Sequence, residues 1–288
     1  MAGSQKSENE KHIYCGLKNE GSTCYLNAVL QTLFMTKEFR EHVKKMRLDK
    51  KDVSSDRILI EELKELFNEL EKPEENAGPE LEKQQERAVS AKGVVTRLGI
   101  DVCQQRDAAE LLHLILKKTP GSSELFKGTY KTTKTWRPCR HEQQSLDHFL
   151  SLPVSLKNSQ DVEAAVKAHV DQMCGEYPLR CCCSTDCTTC IKKSEMINFP
   201  KLLSIQLSKS GDLSRIKVSS HTYQLYAIVN HCGTYDRGHY YAYIDCGGGI
   251  WRQFNDHRVS KVFKVTPGEE IPPHGSSDAC LLVYRRRE

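Results

Sequence analysis

The chain has no apolar run approaching the roughly 18 residues that a membrane span requires. Its first residues, MAGSQKSENEK, hold no apolar stretch, so no secretory leader is expected. It also has no excess of one charge: 42 Lys and Arg face 38 Asp and Glu, a net +4. That balance is too mild to demand a nucleic-acid partner, and three arginines at 285–287 read as a solvated end. No internal repeat is visible, and with 38% hydrophobic and 28% charged residues the composition is neither disordered nor membrane-like. What remains is a soluble globular protein of 288 residues, long enough to bury a sizeable core.

Cysteine is the residue in surplus. There are 13, an odd count. In a long chain for which no leader is expected they read as thiols in a reducing compartment, the cytoplasm and/or the nucleus, some with catalytic or metal-binding uses. Most need no such use, because a free cysteine is also a small buried apolar residue.

Residues 1–12 are polar and read as a flexible tail. Leu26, Val29, Leu30, Leu33 and Phe34 repeat at helical spacing and predict a helix over Cys24–Met35. Leu59, Leu63, Leu66 and Leu70 predict a second over about 57–70, and the proline- and charge-rich 71–86 reads as a loop. A third helix is expected over Asp107–Lys118, stopped by Thr119-Pro120-Gly121, and a fourth over 161–173. From about 196 the texture changes to strands: Leu202–Leu207, Tyr223–Val229, His239–Asp245, Ile250–Phe254 and Ala279–Tyr284, with a glycine turn at 246–249. Helices first and an antiparallel sheet after make an α+β fold.

Two segments carry chemistry. In GLKNEGSTCYLNAVLQ, residues 16–31, a glycine-containing turn delivers Cys24 to the first turn of a helix, where the positive end of the dipole favours the thiolate. A buried cysteine at a helix start would look the same. Far downstream lie YQLYAIVNHCG (223–233), GHYYAY (238–243) and WRQFND (251–256). His239 begins a strand after Gly238, and Asn255 and Asp256 follow the next strand. Neighbouring antiparallel strands can bring them together, and a cysteine–histidine pair oriented by Asn or Asp is the logic of cysteine hydrolases. His231, His141 and His113 make no such claim by themselves.

These segments resemble the Cys box and His box of the ubiquitin-specific proteases, a papain-like family of deubiquitinating cysteine peptidases. The matches are Gly16-Leu17, Asn19, Gly21, Thr23-Cys24-Tyr25, Asn27 and Leu30-Gln31, then Gly238-His239-Tyr240, Ala242-Tyr243, Trp251 and Phe254-Asn255-Asp256. The likeness covers about 13–286. It implies a catalytic domain with a thumb (about 13–125), fingers (126–200) and a palm (201–286). It implies Cys24 as nucleophile, His239 as general base, Asn255 or Asp256 orienting the ring, and Asn19 donating to the oxyanion. Gln31, Asp107, Glu110 and Tyr240 are implied on the substrate side. The substrate implied is ubiquitin or the interferon-induced ubiquitin-like modifier. The chain would act as a monomer, without membrane or nucleic-acid partners or a catalytic cofactor. A catalytically silent scaffold that binds such a modifier is the alternative.

Departures are few. Ser22 stands where the family has Asn, Leu26 and Ala28 replace the commoner Met and Ser, and Ser208-Lys209-Ser210 replaces a basic-aromatic pair. In QRDAAELL, 105–112, Asp107 and Glu110 share a helix face. The resemblance aims them at the arginine-containing tail of ubiquitin, while a helix capping box explains the same spacing. Last, CCCSTDCTTC, 181–190, contains Cys187-x-x-Cys190, a zinc spacing. With the upstream Cys139 and His141 it could hold a structural zinc. Cys181, Cys182 or Cys183 could substitute, or the ribbon could stand without metal.

Overall fold

The structure is a computed structural model, and it describes residues 14–48, 54–72, 87–137, 139–156, 159, 161–183, 188–208, 223–234, 237–265 and 278–287. The expected tail at 1–12, residues 73–86 of the expected loop, and Cys187, Lys209 and Ser210 lie outside them. Along the chain come β1 (Gly16–Leu17), α1 (Cys24–Met35), α2 (Lys37–Lys45), α3 (Ser55–Glu71), β2 (Ala88–Val89), α4 (Lys92–Leu98), α5 (Ala108–Lys118) and α6 (Ser123–Phe126). Then follow β3 (Gly128–Arg137), β4 (Glu142–Phe149), β5 (Leu152–Val154), α7 (Val162–Gln172), β6 (Gly175–Pro178), β7 (Thr189–Asn198) and β8 (Leu202–Leu207). The last strands are β9 (Tyr223–Gly233), β10 (Gly238–Asp245), β11 (Ile250–Asn255), β12 (Arg258–Lys264) and β13 (Ala279–Arg286). The mixture is α+β, as the periodicities imply. Among the described residues no helix is long and apolar enough to cross a membrane.

The chain divides into two compact units, and the chain crosses between them more than once. The first takes residues 1–119 and 231–266. In it α1 packs on β10 and β11, which run antiparallel with Ala242 opposite Phe254, and β11 pairs in turn with β12. The helix was expected to bury one stripe. Instead every residue from Cys24 to Phe34 is buried, Asn27, Gln31 and Thr32 included. It packs on α2 and α5 as well as on β10 and β11, and no face is left for water. Beyond α1, Phe67 of α3 is fully buried against Phe34 and Phe39, with ring centroids 5.6 and 6.2 Å away. Phe39 and Val43, four residues apart on one face, are the buried residues of α2, a helix otherwise made of polar residues.

The second unit takes 120–230 and 267–288. There β9, β13, β8 and β5 form one run of strands, with β13 antiparallel to both neighbours and β5 parallel to β8. A separate four-stranded sheet has the order β4-β3-β7-β6. β3 and β4 fall in the stretch expected to be mainly helical. Seven of the eight β4 residues are exposed, so no inside-outside alternation was there to be read. Asp161 caps α7 by accepting from the Ala164 N–H at 2.8 Å.

Truncating Phe67 to alanine should cost about 3–5 kcal/mol, because the cavity would lie between two rings that cannot follow it. Urea unfolding of the variant measures this. A loss below about 1 kcal/mol would contradict the packing described.

Candidate active site

The turn before α1 is held by one amide. Asn19 Oδ1 accepts from the N–H groups of Gly21 (3.1 Å) and Thr23 (3.2 Å) and from the Thr23 hydroxyl (3.1 Å). Thr23 Oγ1 accepts from the Glu20 N–H at 3.0 Å. Gly21 has φ +139°, and a Cβ there would lie 2.5 Å from the Val102 carbonyl oxygen, so only glycine fits. This lock sets Cys24, 4% exposed, as the first residue of α1 at the positive end of its dipole.

Strand pairing brings in the rest. His239 is the second residue of β10, and Asn255 ends the adjacent β11. His239 Nε2 lies 2.6 Å from Asn255 Oδ1. That oxygen can only accept, so Nε2 carries a hydrogen and the other nitrogen is left for Cys24. The imidazole pKa is raised from 6.5 to about 9. A hydrogen bond with Cys24 is the largest cause, and burial works against it. The Asn255 acceptor and the charges of Cys24 and Asp256 add to the rise. The backbone N–H of Tyr240 also points at the Cys24 sulfur, at 3.4 Å.

Asp256 has no hydrogen bond to His239 in this arrangement. Its carboxylate accepts from Asn19 Nδ2 (2.9 Å) and Asn27 Nδ2 (2.8 Å), and its backbone oxygen accepts from the Leu17 N–H (2.8 Å). Asn255 and Asp256, left as alternatives by the sequence, therefore do different things. One contacts the imidazole and the other ties the β11–β12 turn to the turn that carries Cys24.

The residues implied on the substrate side fare unequally. Glu110 is exposed. Asp107 is the N-cap of α5, accepting from the Ala109 (2.8 Å) and Glu110 (3.0 Å) N–H groups. Gln31 departs from the expectation: it is 2% exposed and donates to the Cys15 carbonyl at 2.8 Å, an internal bond. The ring of Tyr240 is likewise inside, 5% exposed, between His231 and Tyr25. Motif reading gave no role to Asn27, Gln105 or His231, although Asn27 lies within the Cys-box match.

The thiol cluster lies in the other unit. A tight turn, with Arg140 at φ +58°, carries Cys139 and His141. Sulfur–sulfur separations are 3.6 Å for Cys139–Cys181, 3.4 Å for Cys139–Cys183 and 3.0 Å for Cys181–Cys183. His141 Nε2 is 3.6 Å from the Cys182 sulfur. Two triads result, Cys139-Cys181-Cys183 and His141-Cys181-Cys182, sharing Cys181. Cys190, expected among the ligands, belongs to neither and packs against Trp136 and Cys181.

Because His239 titrates above its ordinary value, its protonated ring stabilises the fold fully below about pH 6.5, and this contribution is lost as pH rises through about 9. An NMR titration of the His239 ring should show that high midpoint, and Asn255→Ala should lower it by removing an acceptor. A wild-type midpoint below 7 would contradict the hydrogen bonds described.

A cysteine, an imidazole and an amide joined in series, beside a structured turn, form a nucleophile constellation. The family model described as ubiquitin carboxyl-terminal hydrolase matches residues 15–284. Human ubiquitin carboxyl-terminal hydrolase 2 is 27% identical over 345 aligned positions, covering 93% of this chain and 54% of that protein. Ubiquitin carboxyl-terminal hydrolase 26 of Arabidopsis thaliana is 26% identical, over 86% of this chain and 26% of that protein. For human ubiquitin carboxyl-terminal hydrolase 47 the identity is 23%, over 96% and 28%. The chain thus spans about half the length of these relatives or less. With the match running through nearly all of it and the nucleophile constellation assembled inside that match, the chain belongs to the ubiquitin carboxyl-terminal hydrolase family.

Proposed function

We propose that the chain is a deubiquitinating cysteine protease that cleaves the isopeptide or peptide bond after the C-terminal glycine of ubiquitin. The observation that carries this reading is the Cys24–His239–Asn255 series. Cys24 thiolate attacks the glycine carbonyl, a C–S bond forms, and the carbonyl π pair moves onto oxygen. Asn19 Nδ2 has two hydrogens, of which Asp256 takes one, and the second is offered to the oxyanion along with the Cys24 backbone N–H. His239 gives its proton to the leaving lysine nitrogen as the C–N bond breaks. Water, deprotonated by the same imidazole, then splits the thioester and returns the Cys24 thiolate. Asn255 keeps the ring oriented, and Asp256 holds the Asn19 turn. Asp107 and Glu110 supply negative charge for the arginine-containing tail, and a Gly-Gly end brings no side chains to clash.

In this reading the fold is papain-like, with helices α1–α5 in the thumb, β3, β4, β6 and β7 in the fingers, and the later strands in the palm. Leu146 and Ile197, 60% and 48% exposed on the four-stranded sheet, suit contact with a folded protein substrate. All reacting side chains come from one chain, so a monomer suffices, and neither nucleic acid nor membrane is invoked. The proposed compartment is the cytoplasm, the nucleus or both, where clustered thiols stay reduced.

The thiol cluster fits a structural zinc. Tetrahedral Zn–S bonds of about 2.3 Å place two sulfurs roughly 3.8 Å apart, near the separations of Cys139 from Cys181 and Cys183, while Cys181 and Cys183, 3.0 Å apart, would have to open. Cys139, Cys181 and Cys183, with His141 or Cys182 adjoining, would hold it. Zinc there would cross-link the ribbon and take no part in the chemistry. Metal analysis of protein purified without chelator should find about one zinc per chain, lost in Cys181→Ser. Metal-free protein with an unchanged melting profile would count against it.

The activity is tested with ubiquitin, and separately the interferon-induced modifier, each ending in a thiol-reactive warhead. An adduct with ubiquitin that Cys24→Ser abolishes is expected. An adduct with the other modifier alone would reassign the substrate, and none with either from folded protein would overturn the reading in favour of a silent scaffold. Among kinetic variants, Asn255→Ala should lower kcat through the imidazole, and Asp256→Ala should act through the Asn19 turn. Indistinguishable pH profiles for the two would contradict that division.

A further inference from the structure

A second chain of contacts leads to Cys24 through Tyr240, and the reacting groups make no use of it. It begins at Gln105, in the loop before α5. Gln105 Oε1 accepts from the Gly238 N–H at 3.3 Å, and Gln105 Nε2 lies 2.9 Å from His231 Nε2. The backbone N–H needs the oxygen, so the amide can turn only its NH2 toward His231. His231 Nε2 must then accept, which makes the ring neutral, with its proton on Nδ1. A protonated ring would set donor against donor at 2.9 Å.

His231, at the end of β9, is 5% exposed and stacks on Tyr240, with centroids 4.2 Å apart and planes 18° from parallel. Tyr25, next to Cys24, meets the same Tyr240 edge-on at 6.3 Å. Tyr240 is the residue whose backbone N–H donates to the Cys24 sulfur. Gly238 completes the fit: a Cβ there would lie 2.1 Å from His231 Nε2 and 2.7 Å from the Cys232 carbonyl oxygen. So Gln105 and His231 grip both ends of the tripeptide Gly238-His239-Tyr240, one through a backbone N–H and the other through a ring stack.

We propose that Gln105 and His231 are a positioning pair that fixes the Gly238–Tyr240 backbone, so that the Tyr240 N–H stays on the Cys24 sulfur while the His239 ring keeps its own contact with it. The inference rests on Cys24 being the nucleophile. Neither residue touches the reacting atoms. Their effect passes through a backbone donor whose contact with a thiolate is charge-assisted and therefore stronger than with a neutral thiol. Loosening that donor weakens the thiolate without removing any group that binds substrate.

The test uses the full chain with four single variants and one double variant. Gln105→Ala removes both contacts of the amide. Gln105→Glu keeps the acceptor for Gly238 and loses the donor to His231. His231→Phe keeps a ring on Tyr240 and loses the acceptor, while His231→Gln keeps an acceptor near the Nε2 position and loses the ring. Gln105→Ala and His231→Phe should each lower kcat about 10- to 100-fold, the range for losing a hydrogen bond to a charged group. KM should stay within about twofold. Alkylation of Cys24 by iodoacetamide, which needs no substrate, should slow in parallel. Gln105→Ala combined with His231→Phe should be little worse than either alone, because the two cut one connection. Gln105→Glu and His231→Gln should each fall between wild type and the more severe change at the same position.

Unchanged alkylation rates in folded variants, or a rise in KM at constant kcat, would overturn the pair as positioning residues. If His231→Phe fails to fold, the two variants of the half-buried Gln105 test the same connection from its other end. Wild type that forms no Cys24 adduct with the ubiquitin probe would instead sink the active-site reading, so the two failures are distinguishable.

Discussion

The carboxylate of Asp256 ties together two parts of the chain that are more than 200 residues apart in sequence. It sits in a left-handed turn at φ +49°, just after β11, and takes one hydrogen from Asn19 and one from Asn27. Asn19 organises the turn before α1, and Asn27 lies one helical turn beyond Cys24. One anion therefore fixes the segment that presents the sulfur to the turn that follows Asn255. A carboxylate suits this task because it only accepts, and both partners offer amide N–H groups in a partly buried setting where such bonds are stronger than in water.

With that frame fixed, the polarity of the site follows from local chemistry. Cys24 stands at the start of a helix, whose dipole favours negative charge on sulfur. His239 is held by an acceptor at one nitrogen and the sulfur at the other, so its proton is retained well above the ordinary range. The Tyr240 N–H meets the sulfur from the backbone, and the Asn19 amide is held by the turn before α1 and by Asp256. His239 and Asn19 are thus each oriented by a bond to another side chain, which is how a site stays organised before substrate arrives.

The buried polar residues of α1 show a related economy. A helix buried on every side has no solvent for Asn27 or Gln31. Their amides reach the Lys18 and Cys15 carbonyls, with Asn27 also reaching Asp256. These bonds from the two NH2 groups hold the preceding segment, residues 15–19, along the helix. Gln31 is for this reason a structural anchor of that segment, whatever a motif match suggests about a substrate contact.

Much of the fold and the reacting residues was legible in the sequence where the signal is local. The periodic leucines gave α1, α3 and α5 within a few residues of their ends, because a helix with a buried stripe repeats every three or four positions. Cys24 and His239 stood out through their flanking glycines and the company of Asn and Asp. α2, with only Phe39 and Val43 buried, and β4, exposed at seven of its eight residues, were not legible, since so few buried apolar positions leave little pattern to read. Nor could the sequence divide the work of Asn255 and Asp256, adjacent residues of similar size and hydrogen-bonding range. Only the tertiary structure decided that one faces the imidazole and the other the Asn19 turn, and that His231 is a neutral acceptor packed against Tyr240. Those outcomes depend on which side chains meet across strands and turns far apart in the chain, and no local pattern records such meetings.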